Sequence, residues 1–163
     1  MRFVEQRANA IFLGPPGTGK THVAVALAIA ACQRGFSISC TTLDDLVQQL
    51  KLAEQRNQLQ HKLRTYLKPA LLVVDEVGYL RLDRVEANYL FQLLCRRYER
   101  GSIIVTSHKA FSEWAELLGD EVLAAAILDR LLHHAEVLPI NGPSYRLKDR
   151  LTIARAGSMA RTS

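Results

Sequence analysis

The stretch Gly14-Pro15-Pro16-Gly17-Thr18-Gly19-Lys20-Thr21 decides the fold. It fills every fixed position of the pattern G-x-x-x-x-G-K-[ST], a loop whose backbone N–H groups cradle phosphate. The apolar run Ala10-Ile11-Phe12-Leu13 leads in and an apolar helical stretch over residues 22–34 leads out, so the loop joins a strand to a helix. Glycines let the backbone wrap an anion, and the helix that follows aims the positive end of its dipole at the same charge. In such a loop Lys20 reaches the β- and γ-phosphates and the Thr21 hydroxyl holds Mg²⁺. A chance Gly/Pro-rich turn would not carry both flanks as well, so the stretch reads as a nucleoside triphosphate site.

The second decisive stretch is Ala70-Leu71-Leu72-Val73-Val74-Asp75-Glu76. A continuous apolar run marks a strand covered on both faces, hence a parallel sheet between helices. Two adjacent carboxylates at its carboxyl end suit a metal–phosphate site: Asp75 holds Mg²⁺ through water and Glu76 orients an attacking water. Ser102-Ile103-Ile104-Val105-Thr106-Ser107 reads as a further buried strand, with His108 just after it. Ligands of open α/β sheets sit outside the carboxyl ends of the strands, which points His108 at the γ-phosphate; a loop histidine without a role is the other reading.

The remaining elements follow from spacing. Residues 37–41 alternate as a strand, and Thr42 with Asp45 suggests a capping box ahead of Leu43, Leu46, Val47 and Leu50. Residues 51–68 read as a second amphipathic helix with Leu59, Leu63, Tyr66 and Leu67 on its apolar face. Its cations, Lys62 and Arg64 among them, form either a solvated surface or a face for a nucleic-acid backbone. Asp83 and Glu86 cap a helix over 84–100 that Gly101 ends. Two shorter helices follow over 111–118 and 121–134, the latter with Val122, Leu123, Ala126, Ile127 and Leu131 at core spacing. A strand over 136–140 closes the sheet. The first helix, apolar from Val23 to Cys32, reads as buried on all sides, and residues 1–9 as a short polar lead with little room for structure of their own. The order β-α-β-αα-β-α-β-αα-β predicts one three-layer α/β domain over residues 1–150 around a five-stranded parallel sheet. Residues 151–163 read as a basic, disordered tail.

At 163 residues, with 48% apolar and 23% charged side chains, the composition is that of an ordinary globular chain. The net charge of +5 favours an anionic partner, nucleic acid first. Cys32, Cys40 and Cys95 lack metal-ligand spacing and read as buried, reduced thiols of a cytoplasmic protein. No signal-peptide pattern and no run long enough to span a bilayer is read, so no membrane partner is expected.

Together, the stretches 14–21 and 71–76, Gly78-Tyr79-Leu80, Tyr98-Glu99-Arg100-Gly101-Ser102, Phe111-Ser112-Glu113-Trp114 and Ile127-Leu128-Asp129-Arg130-Leu131-Leu132-His133-His134 resemble IstB. That family comprises the AAA+ ATP-binding helpers of bacterial insertion sequences, kin to the helicase loader DnaC. The resemblance covers residues 3–150, nearly the whole chain. It implies an AAA+ P-loop ATPase, with ATP and Mg²⁺, that assembles on double-stranded DNA and hands a target site to a transposase. It also implies that Arg130 is an arginine finger acting in trans on the γ-phosphate of a neighbouring copy. Read from its residues alone, Arg130 is a surface cation paired with Asp129 or another acid. The chain departs from the family's pattern in three places. His108 stands where asparagine is common and Arg81 where proline is usual. Similar proteins also carry a substantial region ahead of the first strand, so a truncated product, a misplaced start or an isolated domain is expected, with Phe3 and Val4 what remains of it.

Three functions stay open at this point. The first is an ATP-hydrolysing transposition helper, with Lys20, Asp75, Glu76, His108 and Arg130 carrying the chemistry. A replicative helicase loader shares the ATPase parts and differs in partner. A nucleotide-binding but inactive fragment is the third. A small-molecule kinase fits less well, because no arginine-rich lid is apparent and Glu76 suits water activation.

Overall fold

Leu71, Leu72, Val73 and Val74 are all buried, yet alternate residues face two different cores. Leu71 and Val73 join Ala10, Phe12 and Ile104 on one face of the sheet, while Leu72 and Val74 join Ile11, Ile103 and Val105 on the other. That double coverage makes the fold three-layered, because a strand apolar on both faces needs helices on each side. The computed structural model describes residues 1–144; the expected basic tail over 151–163 lies outside the described residues.

In chain order the elements are α1 (Arg2–Glu5), β1 (Asn9–Leu13), α2 (Lys20–Gln33), β2 (Ile38–Thr42), α3 (Leu43–Gln55), α4 (Leu59–Leu67), β3 (Leu71–Val77) and α5 (Arg84–Arg97). There follow β4 (Ser102–Ser107), a 3₁₀ turn at Phe111–Glu113, α6 (Trp114–Leu118), α7 (Glu121–Leu132) and β5 (Ala135–Pro139). The sheet has five parallel strands in the order β2-β3-β4-β1-β5. Helices α1 and α2 cover one face; α3 to α7 cover the other.

Local chemistry accounts for the boundaries. Asp83 and Glu86 form the complete capping box expected at α5, while Thr42 supplies only the half in which its hydroxyl accepts from Asp45 N. The helix expected over 51–68 is two helices: residues 51–55 belong to α3, and Asn57 takes left-handed backbone (φ 55°) before α4 starts. Asparagine tolerates that conformation at a helix end. Likewise α5 stops at Arg97, three residues short of expectation: Tyr98 leaves helical backbone (φ −50°, ψ 124°) and Glu99 is left-handed (φ 57°). Arg97 itself is 1% exposed. Its guanidinium donates to the carbonyls of Tyr66 (2.8 Å), Pro69 (2.9 Å) and Ser102 (2.8 Å), clamping the α4–β3 junction to the α5–β4 turn.

Three burial expectations fail. Helix α2 buries only Ala24, Ala28 and Ala31 against the sheet, apart from Lys20 at its start, and Val23, Val25 and Ile29 stay exposed. Its small alanines let the helix sit close on the strands, and among the described residues no further layer packs outside it. Val122 is 81% exposed, its place in the core taken by Ala124. Cys32 and Cys40 are exposed and Cys95 half-buried, so the thiols are free but not in the core. Residues 1–9 do form structure: the single turn α1 buries Val4 beneath α2.

Candidate active site

The loop between β1 and α2 runs from Gly14 to Gly19, and Gly19 takes left-handed backbone (φ 93°) as the N-cap of α2. Gly19 makes no side-chain cap hydrogen bond, and a helix N-terminus behind such a loop is a place where an anion is favoured. Thr18 Oγ1 donates to Pro15 O (2.8 Å) and braces the loop. Lys20 Nζ donates to Gly14 O and Pro15 O (2.7 Å each), folded back over the loop's own carbonyls.

Facing the loop are the carboxyl ends of β3 and β4. In a regular strand Asp75 and Glu76 would point to opposite faces of the sheet. Here the β3–β4 register slips between Val74 and Val77, and Glu76 takes left-handed backbone (φ 61°). Such a bulge re-aims a side chain, and both acids line one cavity of about 520 Å³ with Lys20, Thr21 and His108. That volume is in the range of nucleotide-sized pockets. Thr21 Oγ1 donates to Asp75 Oδ1 (3.0 Å), so the two expected metal-holding residues meet across 54 positions of sequence. Their oxygens are the hard donors Mg²⁺ takes, so this pair fits the metal.

Thr106 was not among the expected site residues. It is 2% exposed, donates to the same Asp75 Oδ1, and accepts from Glu76 N (3.0 Å). One hydroxyl thus holds both acids of β3. The signal was present as a hydroxyl in the otherwise apolar run Ile103-Ile104-Val105-Thr106, but its partner lies across the sheet. Tyr79 also joins the cavity unannounced, its ring 4.3 Å from that of His108.

His108 directly follows β4 and lines the same cavity as Lys20. Burial, then the charges of Lys109 and Lys20, hold its imidazole below the usual histidine range. Its Nδ1 is buried and has no hydrogen-bond partner among the described residues. The turn that presents it is fixed by Ser107 Oγ, which donates to Val77 O (2.7 Å) and accepts from Lys109 N (3.1 Å). Gly78 (φ 112°) makes room for that turn, since a Cβ there would stand 2.5 Å from Lys109 Cγ and 3.2 Å from His108 Cε1.

The other expected residues lie elsewhere. Gly14, Pro15 and Pro16 form the rising arm of the loop, while Gly17, Thr18 and Gly19 line the cavity. Arg130 is not in this site. It borders a recess with Asn9 and Ile103, at the amino ends of β1 and β4, the sheet edge away from the cavity. It does not pair with Asp129: Nη1 donates to Ala126 O (3.1 Å) and the guanidinium lies 5.0 Å over the Phe91 ring. Lys62 and Arg64 do not share a face of α4, being two residues apart; Lys62 lies 5.8 Å over the Tyr66 ring and Arg64 is exposed. Among the described residues no helix is long and apolar enough to cross a membrane.

A phosphate loop on β1, an acid pair on β3, a polar residue after β4 and the strand order β2-β3-β4-β1-β5 define an AAA+ P-loop ATPase domain. Within that class the chain belongs to the family described as IstB-like ATP binding protein, which matches residues 1–153. It is 49% identical over 150 residues to the ATP-binding protein assigned to insertion sequence IS5376 of Geobacillus stearothermophilus, covering 92% of this chain and 60% of that one. It is 50% identical over 150 residues to the one assigned to IS21 of Pseudomonas aeruginosa, covering 92% and 57%. The chain therefore spans about three fifths of the length of these relatives. Among solved structures, the DnaC helicase loader superposes with a TM-score of 0.67 at 26% identity, over 86% of this chain and 85% of that one.

Proposed function

We propose that the protein hydrolyses ATP at this cavity and uses the nucleotide cycle to assemble on double-stranded DNA, in the cytoplasm, as a helper to a transposase. The carrying observation is the meeting of Thr21, Asp75 and Glu76 at the mouth of the phosphate loop. Packing alone gives no reason for two acids and a lysine to converge there.

Each residue has a distinct task. The loop amides and the N-terminus of α2 hold the phosphates, and Lys20 turns from the Gly14 and Pro15 carbonyls to the γ-phosphate. Thr21 and Asp75 would hold Mg²⁺, which when bound supplies charge neutralisation across the β- and γ-oxygens. Glu76 accepts a hydrogen bond from a water and aims its oxygen at the γ-phosphorus. The new bond from the water oxygen to the γ-phosphorus forms as the bond from that phosphorus to the β–γ bridging oxygen breaks. The water's proton leaves through Glu76 to the phosphate or solvent, and ADP and phosphate are released with no covalent enzyme intermediate. His108, which lines the same cavity, would donate a hydrogen bond to the γ-phosphate. Arg130 of a second copy adds the remaining positive charge. The net charge of +5 and the exposed Arg64 on α4 support contact with a nucleic-acid backbone; Lys62, on another face of the helix, would reach it only from a different side.

The test is ATP turnover and binding, with and without duplex DNA. Lys20→Ala should abolish nucleotide binding. Glu76→Gln should keep binding and lower turnover by about 10²–10⁴, the usual worth of a positioned base. Unchanged turnover in Glu76→Gln would remove the hydrolytic reading. The likeness to the DnaC helicase loader supports a second reading, in which the same ATPase serves a replicative helicase; co-purification with a transposase or with a helicase separates the two.

A further inference from the structure

On the sheet edge away from the nucleotide cavity, two turns meet. One follows α5 and carries Glu99; the other follows α7 and carries His133 and His134. One ligand atom from each of the three side chains lies within 4.8 Å of the others, and all three residues are exposed. His133 Nε2 stands 3.4 Å from Glu99 Oε1, and the two imidazole rings are 4.1 Å apart at 70°.

Backbone conformation brings them together. Glu99 (φ 57°) and His134 (φ 51°) are both left-handed, a conformation uncommon for residues other than glycine. Arg7 Nη1 donates to the Glu99 carbonyl (2.8 Å), which fixes that turn while leaving the carboxylate to face the histidines. An exposed His–Glu pair by itself adds little to stability, so the ion pair is a weak reason for the two strained turns.

The donor set has a definite chemistry. Two imidazoles and one carboxylate are a common three-ligand set for zinc, with a fourth position open. Metal–ligand bonds of about 2.0–2.1 Å put tetrahedral ligands about 3.4 Å apart, which is the His133–Glu99 spacing. The widest spacing must close by about 1.4 Å from its 4.8 Å limit, within reach of a rotation about exposed side-chain bonds. We propose that Glu99, His133 and His134 form a site for a zinc-class divalent cation. It ties the α5–β4 turn to the α7–β5 turn, three residues beyond Arg130 on the same edge. Imidazole favours zinc, copper, nickel or cobalt over magnesium, which prefers oxygen ligands, so the site is separate in kind from the one at Thr21 and Asp75.

Zinc and cobalt(II) are the probes, titrated into the full chain without nucleotide. The expected result is one equivalent of cobalt bound with a tetrahedral visible spectrum, displaced by zinc and not by excess magnesium. His133→Ala, His134→Ala and Glu99→Gln should each weaken binding by at least about tenfold, while His61→Ala leaves it unchanged. Because all three side chains are exposed, the variants should melt at the parent's temperature without metal and lose only the zinc-dependent rise. A His133→Ala/His134→Ala double variant that titrates like the parent overturns the site. So does zinc binding that persists in that variant and disappears on Cys32→Ser/Cys40→Ser, since the exposed thiols would then hold the metal.

Discussion

At the scale of single residues, Thr106 organises the acids. Its hydroxyl gives its proton to Asp75 and accepts the Glu76 N–H, so Thr106→Val removes both contacts while keeping the shape. The Glu76 amide would then lack a partner, at about 1–3 kcal/mol, and Asp75 would lose half of its positioning. Chemical denaturation should register that loss, and ATP turnover should fall while ATP affinity holds; full turnover in Thr106→Val would show that Thr21 alone suffices. His108 makes a second residue-level prediction. Its folded pKa lies below the ordinary value of about 6.5, so the fold prefers the neutral ring. That contribution to stability is present above about pH 6.5 and is lost as pH falls toward the folded pKa. Between about pH 7.5 and pH 5 the thermal midpoint of the parent should drop more than that of His108→Asn; parallel curves would contradict it. The phosphate loop was legible in the sequence because its physics is local: consecutive backbone amides make the cradle. Thr106 was not, because it meets Asp75 across 31 positions and nothing along the chain marks that neighbour.

At the scale of elements, strands β1, β3 and β4 were legible from continuous apolar runs, and the parallel, doubly covered sheet followed from them. Helix ends were less so, because they depend on one or two residues leaving helical backbone: Asn57 divides α3 from α4, and Tyr98 and Glu99 end α5 early. Whether an apolar helix face is covered was not legible at all. Val23, Val25 and Ile29 look like core in sequence, and only the arrangement of layers shows that none of the described residues covers them. Arg97 likewise reads as part of a basic helix end, although it is the clamp between two junctions. Burial pulls its pKa down to about 10, so it stays charged at neutral pH. Arg97→Met should cost about 1–3 kcal/mol or more, the scale for leaving buried polar groups unsatisfied, because the carbonyls of Tyr66, Pro69 and Ser102 lose their donor. Urea unfolding measures it; a loss below about 1 kcal/mol would show that water replaces the guanidinium.

At the scale of the whole molecule, the cavity and Arg130 occupy opposite edges of the sheet, at the carboxyl and amino ends of the same strands. The five residues of β1 between those edges span about 16 Å, more than a side chain can reach. Arg130 therefore cannot reach the cavity of its own chain, and the catalytic use proposed for it would require a second copy. Geometry supplies this argument independently of the family resemblance, which alone singled out Arg130 in the sequence. The direct test mixes two variants that are each defective. Arg130→Ala keeps a complete cavity and lacks the finger; Glu76→Gln keeps the finger and lacks the group that orients water. Alone, Arg130→Ala should bind ATP normally and turn it over about 10³–10⁵ times more slowly than the parent. Mixed with Glu76→Gln, it should recover a substantial part of the parental rate, because intact fingers then face intact cavities. A mixture no faster than its two components, or an Arg130→Ala variant as fast as the parent, would contradict a site shared between copies.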